Sequence, residues 1–188
     1  MLPRARRADP AVFLQAVRAA AARLSAGPPP ISVLDCIDRW DGRDIVVLED
    51  RLHPGLRGGL SLVDGRWLII LNRDDPPPRA RFTLAHELGH IVLGDCGGGR
   101  MQRDDWLHPD DRVHPDKRDA YGPLHRRGPL SSTTREALCG RFAVELRMLA
   151  SLVRYVWAAE PTIAALAGRF QVSSAAARRR VRELGLMR

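Results

Sequence analysis

The tightest constraint on this chain lies between Asp74 and Gly94, where a helix can start, run and stop with a single interruption at Gly89. Asp74 and Asp75 can cap it, and Pro76, Pro77 and Pro78 suit its first turn, where an N–H would have no intrahelical acceptor anyway. The spacing predicts a helix to about Leu93, with Gly94 at its C-terminal stop. Within it, His86-Glu87-Leu88-Gly89-His90 sets two histidines one turn apart on one face. Glycine inside a helix costs about 1 kcal/mol relative to alanine, so Gly89 implies that something approaches the backbone closely there.

The segments around this helix are short. Upstream, Val12, Phe13, Ala16, Val17, Ala20 and Leu24 recur at helical spacing until Gly27 and Pro28 to Pro30 end the pattern, predicting a helix over Pro10 to Leu24. A second short helix is expected over Ser32 to Trp40, then a strand at Ile45 to Leu48. Gly59 to Val63 and Arg66 to Leu71 flank Asp64-Gly65, a pair that supplies the positive φ angles of a two-residue hairpin turn. Downstream, 95–130 is rich in Gly, Asp, Pro and His without periodicity. A long helix is then expected over Thr133 to Trp157, its apolar stripe made by Leu138, Phe142, Leu146, Leu149, Val153 and Val156. A final helical pair follows, Thr162 to Phe170 and Ser173 to Leu184.

With aromatics at only 5%, the core must be built mainly from Ala, Leu and Val, which favours packed helices over a sandwich. The 188 residues suit one domain with a small appendage. The reading is α+β and mostly helical, with a small antiparallel β-sheet, over 1–157, and a C-terminal segment at 158–188 packed on it. The net charge of +8 invites an acidic partner, but Lys117 is the only lysine, and such a skew resembles coding bias more than a phosphate-binding face. Cys36, Cys96 and Cys139 are odd in number and widely spaced, without a CxxC pair, which fits a reducing cytoplasm. The basic N-terminus lacks an apolar signal region, and no run of apolar residues is long enough to span a bilayer.

Two imidazoles on one helical face are suitable zinc ligands, and Glu87 between them is placed to take a proton from activated water. A catalytic zinc also needs a third protein ligand. Cys96 stands where a metzincin would carry its third histidine, whereas Glu136 and Glu145 both lie on the downstream helix. Nine residues turn a helix by about 180°, so only one of those glutamates can face the metal, and helix geometry alone does not say which. Thr133-Thr134-Arg135-Glu136 also reads as a capping box.

Residues Arg81-Phe82-Thr83-Leu84-Ala85-His86-Glu87-Leu88-Gly89-His90-Ile91-Val92-Leu93-Gly94-Asp95 closely resemble the ImmA/IrrE metallopeptidase family. The stretch Glu136-Ala137-Leu138-Cys139-Gly140-Arg141-Phe142-Ala143-Val144-Glu145-Leu146 looks like that family's second motif, whose leading glutamate completes the zinc site. The resemblance therefore implies a zincin-like domain with zinc on His86, His90 and Glu136, Glu87 as catalytic base, and a helix-turn-helix-like C-terminal segment. Two departures bear on the substrate cleft rather than the zinc: Gly140 replaces the usual Asn, and Arg147-Met148-Leu149 replaces the usual Leu-Met-Pro.

The expected function is a cytoplasmic zinc endopeptidase acting on a protein substrate. The resemblance points to a helix-turn-helix repressor, whose cleavage relieves transcription during stress or mobile-element induction. The strand Arg66 to Leu71 is a candidate to pair with an extended substrate as an edge strand, and Tyr121, His125, His114 and His108 are candidate oxyanion donors. The rival reading is DNA binding through Arg178-Arg179-Arg180-Val181-Arg182, because Pro161 to Arg188 holds six Arg against one Glu, or +5. A solvated helix face that also packs on the peptidase explains that patch with fewer assumptions. A degenerate metal site that binds a partner without cutting is a third reading, opposed by the intact Glu87.

Overall fold

The computed structural model describes residues 10–25, 27–39, 45–53, 55–63, 66–96 and 132–187. The Asp64-Gly65 turn and the stretch 97–131, with Tyr121, His125, His114 and His108, lie outside the described residues. The elements in chain order are α1 (Pro10–Leu24), α2 (Val33–Asp38), β1 (Ile45–Asp50), β2 (Gly58–Val63), β3 (Arg66–Asn72), α3 (Pro77–Cys96), α4 (Ser132–Arg147), α5 (Ala150–Ala159), α6 (Ile163–Phe170) and α7 (Ser174–Glu183). The protein is α+β and mostly helical, as its composition implied. Local chemistry sets several boundaries: Ser32, Thr162 and Ser173 cap α2, α6 and α7 by accepting from the backbone N–H of Asp35, Ala165 and Ala176.

The sheet is mixed rather than wholly antiparallel, with strand order β1-β3-β2. β2 and β3 form the expected antiparallel hairpin, in register from Val63 opposite Arg66 to Gly58 opposite Leu71. β1 joins β3 in parallel, Ile45 opposite Trp67 through Asp50 opposite Asn72. This placement corrects the edge-strand expectation for Arg66 to Leu71. β3 is the central strand and its backbone is paired on both sides, so an added peptide strand would have to use β1 or β2. Its burial explains why it is central: Trp67, Ile69 and Leu71 are buried, whereas β1 leaves Val46 and Leu48 exposed.

Two further expectations change. α3 continues through Gly94 to Cys96, because one glycine near a helix end lowers propensity without ending the hydrogen-bonded ladder. The long helix expected over Thr133 to Trp157 breaks at Met148–Leu149 into α4 and α5, Leu149 adopting an extended conformation with φ −53° and ψ 132°. The break carries the chain from one hydrophobic core to another. Leu138, Phe142, Ala143 and Leu146 pack with α1, α3 and the sheet, whereas Met148 and Val153 pack with Leu166, Phe170, Ala177 and Val181. The Met148 carbonyl accepts from Arg180 Nε at 3.0 Å, so the opened backbone keeps a buried partner.

α3 is the buried axis of the first core. Leu84, Ala85, Leu88, Ile91 and Val92 are all buried within it. Gly58 of β2 lies against it so closely that a Cβ there would stand 2.6 Å from Thr83 Cγ2 and 2.8 Å from the Ile70 carbonyl oxygen. The hairpin thus seats on the first half of α3.

Candidate metal centre

The approach implied by Gly89 is that of α4. A Cβ on Gly89 would lie 3.1 Å from Phe142 Cδ1 and 3.3 Å from Cys139 Cα. With no side chain in the way, the first turns of α4 pack directly on the histidine-bearing part of α3. That contact brings Glu136 to His86 and His90.

His86 Nε2 lies 3.1 Å from Glu136 Oε2 and 3.2 Å from His90 Nε2, and His90 Nε2 lies 3.5 Å from Glu136 Oε1. These spacings can be tested against an ion. Zinc bonds of about 2.0 Å in a tetrahedral arrangement separate neighbouring ligand atoms by about 3.3 Å; the two imidazole nitrogens stand 3.2 Å apart, and one ligand atom from each of the three residues falls within 4.8 Å of the others. Two neutral imidazoles and a carboxylate are also the donor types that zinc accepts. The residues fit a single divalent ion of this kind. Among the described residues, this is the group of His, Cys, Asp and Glu side chains arranged to hold one.

Burial grades across the site. The His90 side chain is fully enclosed, His86 is 19% exposed and Glu136 is 44% exposed, so the centre has a closed floor and an opening on the α4 side. Burial, with His86 and Arg135 close by, lowers the His90 pKa to about 2 and holds the ring neutral, as a metal ligand requires. Phe82, one turn before His86, is partly exposed, its ring centroid 6.3 Å from that of His86.

Glu87 is only 2% exposed, and its Oε2 is enclosed without a hydrogen-bond partner among the described residues. Burial, and secondarily the charge of Glu136, pushes its pKa well above the usual carboxylate range. A buried carboxyl oxygen with a raised pKa, one residue along α3 from His86, has the chemistry of a group that exchanges protons near neutral pH.

The two glutamates left open by helix phase now separate. Both carboxylate oxygens of Glu136 lie by the imidazoles, so its side chain points at α3. Glu145 is buried on another face, where Arg180 pairs with it through both terminal nitrogens, Arg141 Nη2 approaches to 2.9 Å and Arg18 Nε to 3.4 Å. Its role is to hold α1 and α7 to α4. The basic run read from sequence as a solvated face that also packs on the peptidase; Arg180, 1% exposed, is the member that packs, and nothing local in the sequence marks it as the partner of Glu145. The Cys96 side chain lies outside the described residues.

Comparison with known proteins shows the family and the fold. The sequence profile of peptidase M78, described as the IrrE N-terminal-like domain, matches residues 41–182, a range that includes His86, Glu87, His90 and Glu136. No curated protein matches the chain. A solved structure of a Mycobacterium tuberculosis transcriptional regulator shares the fold, with a TM-score of 0.56 and 17% identity over 89% of this chain. The chain spans 46% of the length of that structure. With the profile covering most of its length and a His-His-Glu group at its centre, the chain belongs to the IrrE N-terminal-like family, peptidase M78, and carries a metallopeptidase-type domain.

Proposed function

We propose that this protein is a zinc-dependent endopeptidase that hydrolyses a peptide bond in a helix-turn-helix transcriptional repressor. The observation that carries the catalytic part is the convergence of His86, His90 and Glu136, with the enclosed carboxyl oxygen of Glu87 on the same helix next to His86. The three residues would hold the ion, which when bound polarises a carbonyl and acidifies water. Glu87 Oε2 accepts the proton of the attacking water, and the same oxygen returns it to the leaving amine nitrogen. Its enclosure keeps bulk water from competing for that proton. The opening beside Glu136 and Phe82 is where a peptide would enter.

The repressor as substrate rests on the resemblance of residues 81–95 and 136–146 to ImmA/IrrE peptidases. The description of the Mycobacterium tuberculosis structure as a transcriptional regulator is in keeping with a regulatory role. A repressor target would put the enzyme in the cytoplasm. No helix among the described residues is long and apolar enough to cross a membrane. The DNA-binding reading loses support at Arg180, the middle of the basic run, because its guanidinium is buried against Glu145 and the Met148 carbonyl. Arg178, Arg179 and Arg182 remain exposed, and Arg179 pairs with Glu183.

The test is metal content and hydrolysis of candidate repressors by wild type, His86→Ala, Glu136→Ala and Glu87→Gln, each checked for folding. Wild type should carry about one zinc per chain. His86→Ala and Glu136→Ala should lose it, while Glu87→Gln should keep it and lose about 10²–10⁴ in hydrolysis. Full zinc in Glu136→Ala, or cutting by Glu87→Gln at the wild-type rate, would overturn the assignment.

A further inference from the structure

Beyond the metal, α4 carries a second chemically distinct position on the same side. Glu136, Gly140, Ala143 and Arg147 fall at intervals of four, three and four residues, so they line one face of the helix. Gly140 has open space where a Cβ would stand, so the track between Glu136 and Arg147 is not blocked by a side chain. A cleft of about 530 Å³ lies along the Arg147 end of this track, from Met148 back to Gly140 and Ala137, the residue next to Glu136, and it reaches Phe82, one turn before His86. Phe82 of α3, Gly140, Val144 and Arg147 lie on one side, and Ala176 and Arg179 of α7 on the other.

The cleft is cationic. Arg141, Arg147, Arg179 and Arg180 line it against Glu183 alone, four positive charges against one negative, or +3. Three of those arginines have carboxylate partners in Glu145 or Glu183. Arg147 differs. It is 5% exposed, and its guanidinium donates to two carbonyls, Pro78 at 3.1 Å and Gln171 at 2.9 Å, with no carboxylate in ion-pair range among the described residues. A guanidinium has five N–H donors in a fixed fork, so two carbonyls leave donors available. Burial, with Arg81 as a nearby like charge, lowers its pKa to about 10, the direction expected of a cation lacking a counter-ion. It also borders a second cleft of about 290 Å³, lined by Arg81, Glu49 and Gln171 among others.

We propose that Arg147 is a specificity subsite of the metal centre, binding the carboxylate of an Asp or Glu side chain in the substrate peptide. This rests on the peptidase reading and adds a substrate class to it. The two carbonyls hold the guanidinium in place, so a bidentate contact with an incoming carboxylate needs little further ordering. The helical positions from Glu136 to Arg147 span about 16 Å, and an extended peptide advances about 3.3 Å per residue. Because helical side chains lean toward the helix N-terminus, the acidic residue should lie about three to five positions from the cleaved bond.

Two measurements keep this proposal separable from the peptidase reading. In the first, zinc-loaded Glu87→Gln protein is applied to an array of short peptides in which each Glu or Asp has a Gln or Asn counterpart. The acidic members should be retained about tenfold more strongly. The preference should vanish in Glu87→Gln/Arg147→Gln and return in part in Glu87→Gln/Arg147→Lys, with melting curves confirming folded protein. In the second, wild type digests a mixed peptide library and the cut sites are sequenced. An acidic preference at one fixed position, lost with Arg147→Gln, is expected. A purely structural Arg147 would lower all cutting evenly, leave the cut-site pattern unchanged and show no Glu-over-Gln preference, and that result overturns the subsite. Acid-selective binding without any cutting would instead overturn the peptidase reading and leave the subsite standing.

Discussion

Gly89→Ala tests how the fold makes the metal site. By helix propensity alone the change should stabilise α3 by about 1 kcal/mol. Against that, the new methyl would meet Phe142 Cδ1 at 3.1 Å, Cys139 Cα at 3.3 Å and the Cys139 carbonyl oxygen at 3.4 Å. Phe142 is fully buried and the other two contacts are main chain, so relief requires α4 to shift by a few tenths of an ångström. Overpacking of this kind costs about 1–3 kcal/mol, which leaves a net loss of about 1 kcal/mol. For a chain of this size, Tm should fall by about 2–4 °C. The shift also carries Glu136 away from His86 and His90, so zinc affinity should fall by about three- to tenfold in competition with a chelating dye. A variant that melts higher than wild type and binds zinc equally well would refute the link between Gly89, helix approach and ligand placement.

Other outcomes follow from the same contacts. Glu145→Gln leaves Arg180 buried with a weakened partner and should cost about 3–5 kcal/mol in urea unfolding, yet the folded fraction should still hold zinc. Adding zinc at about 100 times its Kd should stabilise wild type by about 2.7 kcal/mol, a rise in Tm that His86→Ala should abolish. Cys36 and Cys139 are fully buried; burial raises the Cys36 pKa to about 11 and drives that of Cys139 up as well. In a Cys96→Ser variant at about pH 8, a chromogenic disulfide reagent should therefore find no reactive thiol until denaturant is added.

Much of the site was legible because its signals are local. The proline-tolerant start of α3, the four-residue histidine spacing and the anomalous Gly89 all act within one helix. The caps were read less well: α3 begins at Pro77 with Pro76 before it, not Asp74 or Asp75, while Ser32, Thr162 and Ser173 cap the shorter helices. What stayed hidden depends on partners far away in sequence. That β3 is central follows from β1 pairing with it across the intervening β2, which no alternation inside either strand reveals. The break at Met148–Leu149 has no glycine or proline in this chain. It follows from Met148 and Val153 joining a core built by α6 and α7, with Arg180 taking the opened carbonyl. An arginine inside a run of four basic residues in five reads as surface from sequence, whereas the charge of Arg180 is paired with Glu145, 35 residues earlier.

With Glu136 as the proposed metal ligand, its separation from Glu145 lets one helix meet two incompatible demands. A metal ligand must keep its carboxylate available to an ion and to entering substrate, whereas a structural carboxylate must be enclosed and matched by fixed cations. Nine residues apart, the two glutamates point to opposite sides of α4. The exposure of Glu136 beside the imidazoles and the burial of Glu145 under Arg180 are consequences of that half-turn. The same phase places Arg147 back on the Glu136 side, about 20° away around the helix. Moving the ligand along α4 tests whether phase governs the site. A glutamate at position 138 would stand about 200° from that of Glu136, and Leu138 is a buried core residue, so Glu136→Ala/Leu138→Glu should lose stability without regaining zinc. Position 140 lies one turn on and about 40° away, with open space where a Cβ would stand. Glu136→Ala/Gly140→Glu should therefore fold and recover zinc in part, measured by metal content after dialysis. The new carboxylate would lie across the open track, so the same variant should also lose the preference for acidic peptides attributed to Arg147. Zinc regained through position 138 and not through position 140 would refute helix phase as the feature that selects the ligand.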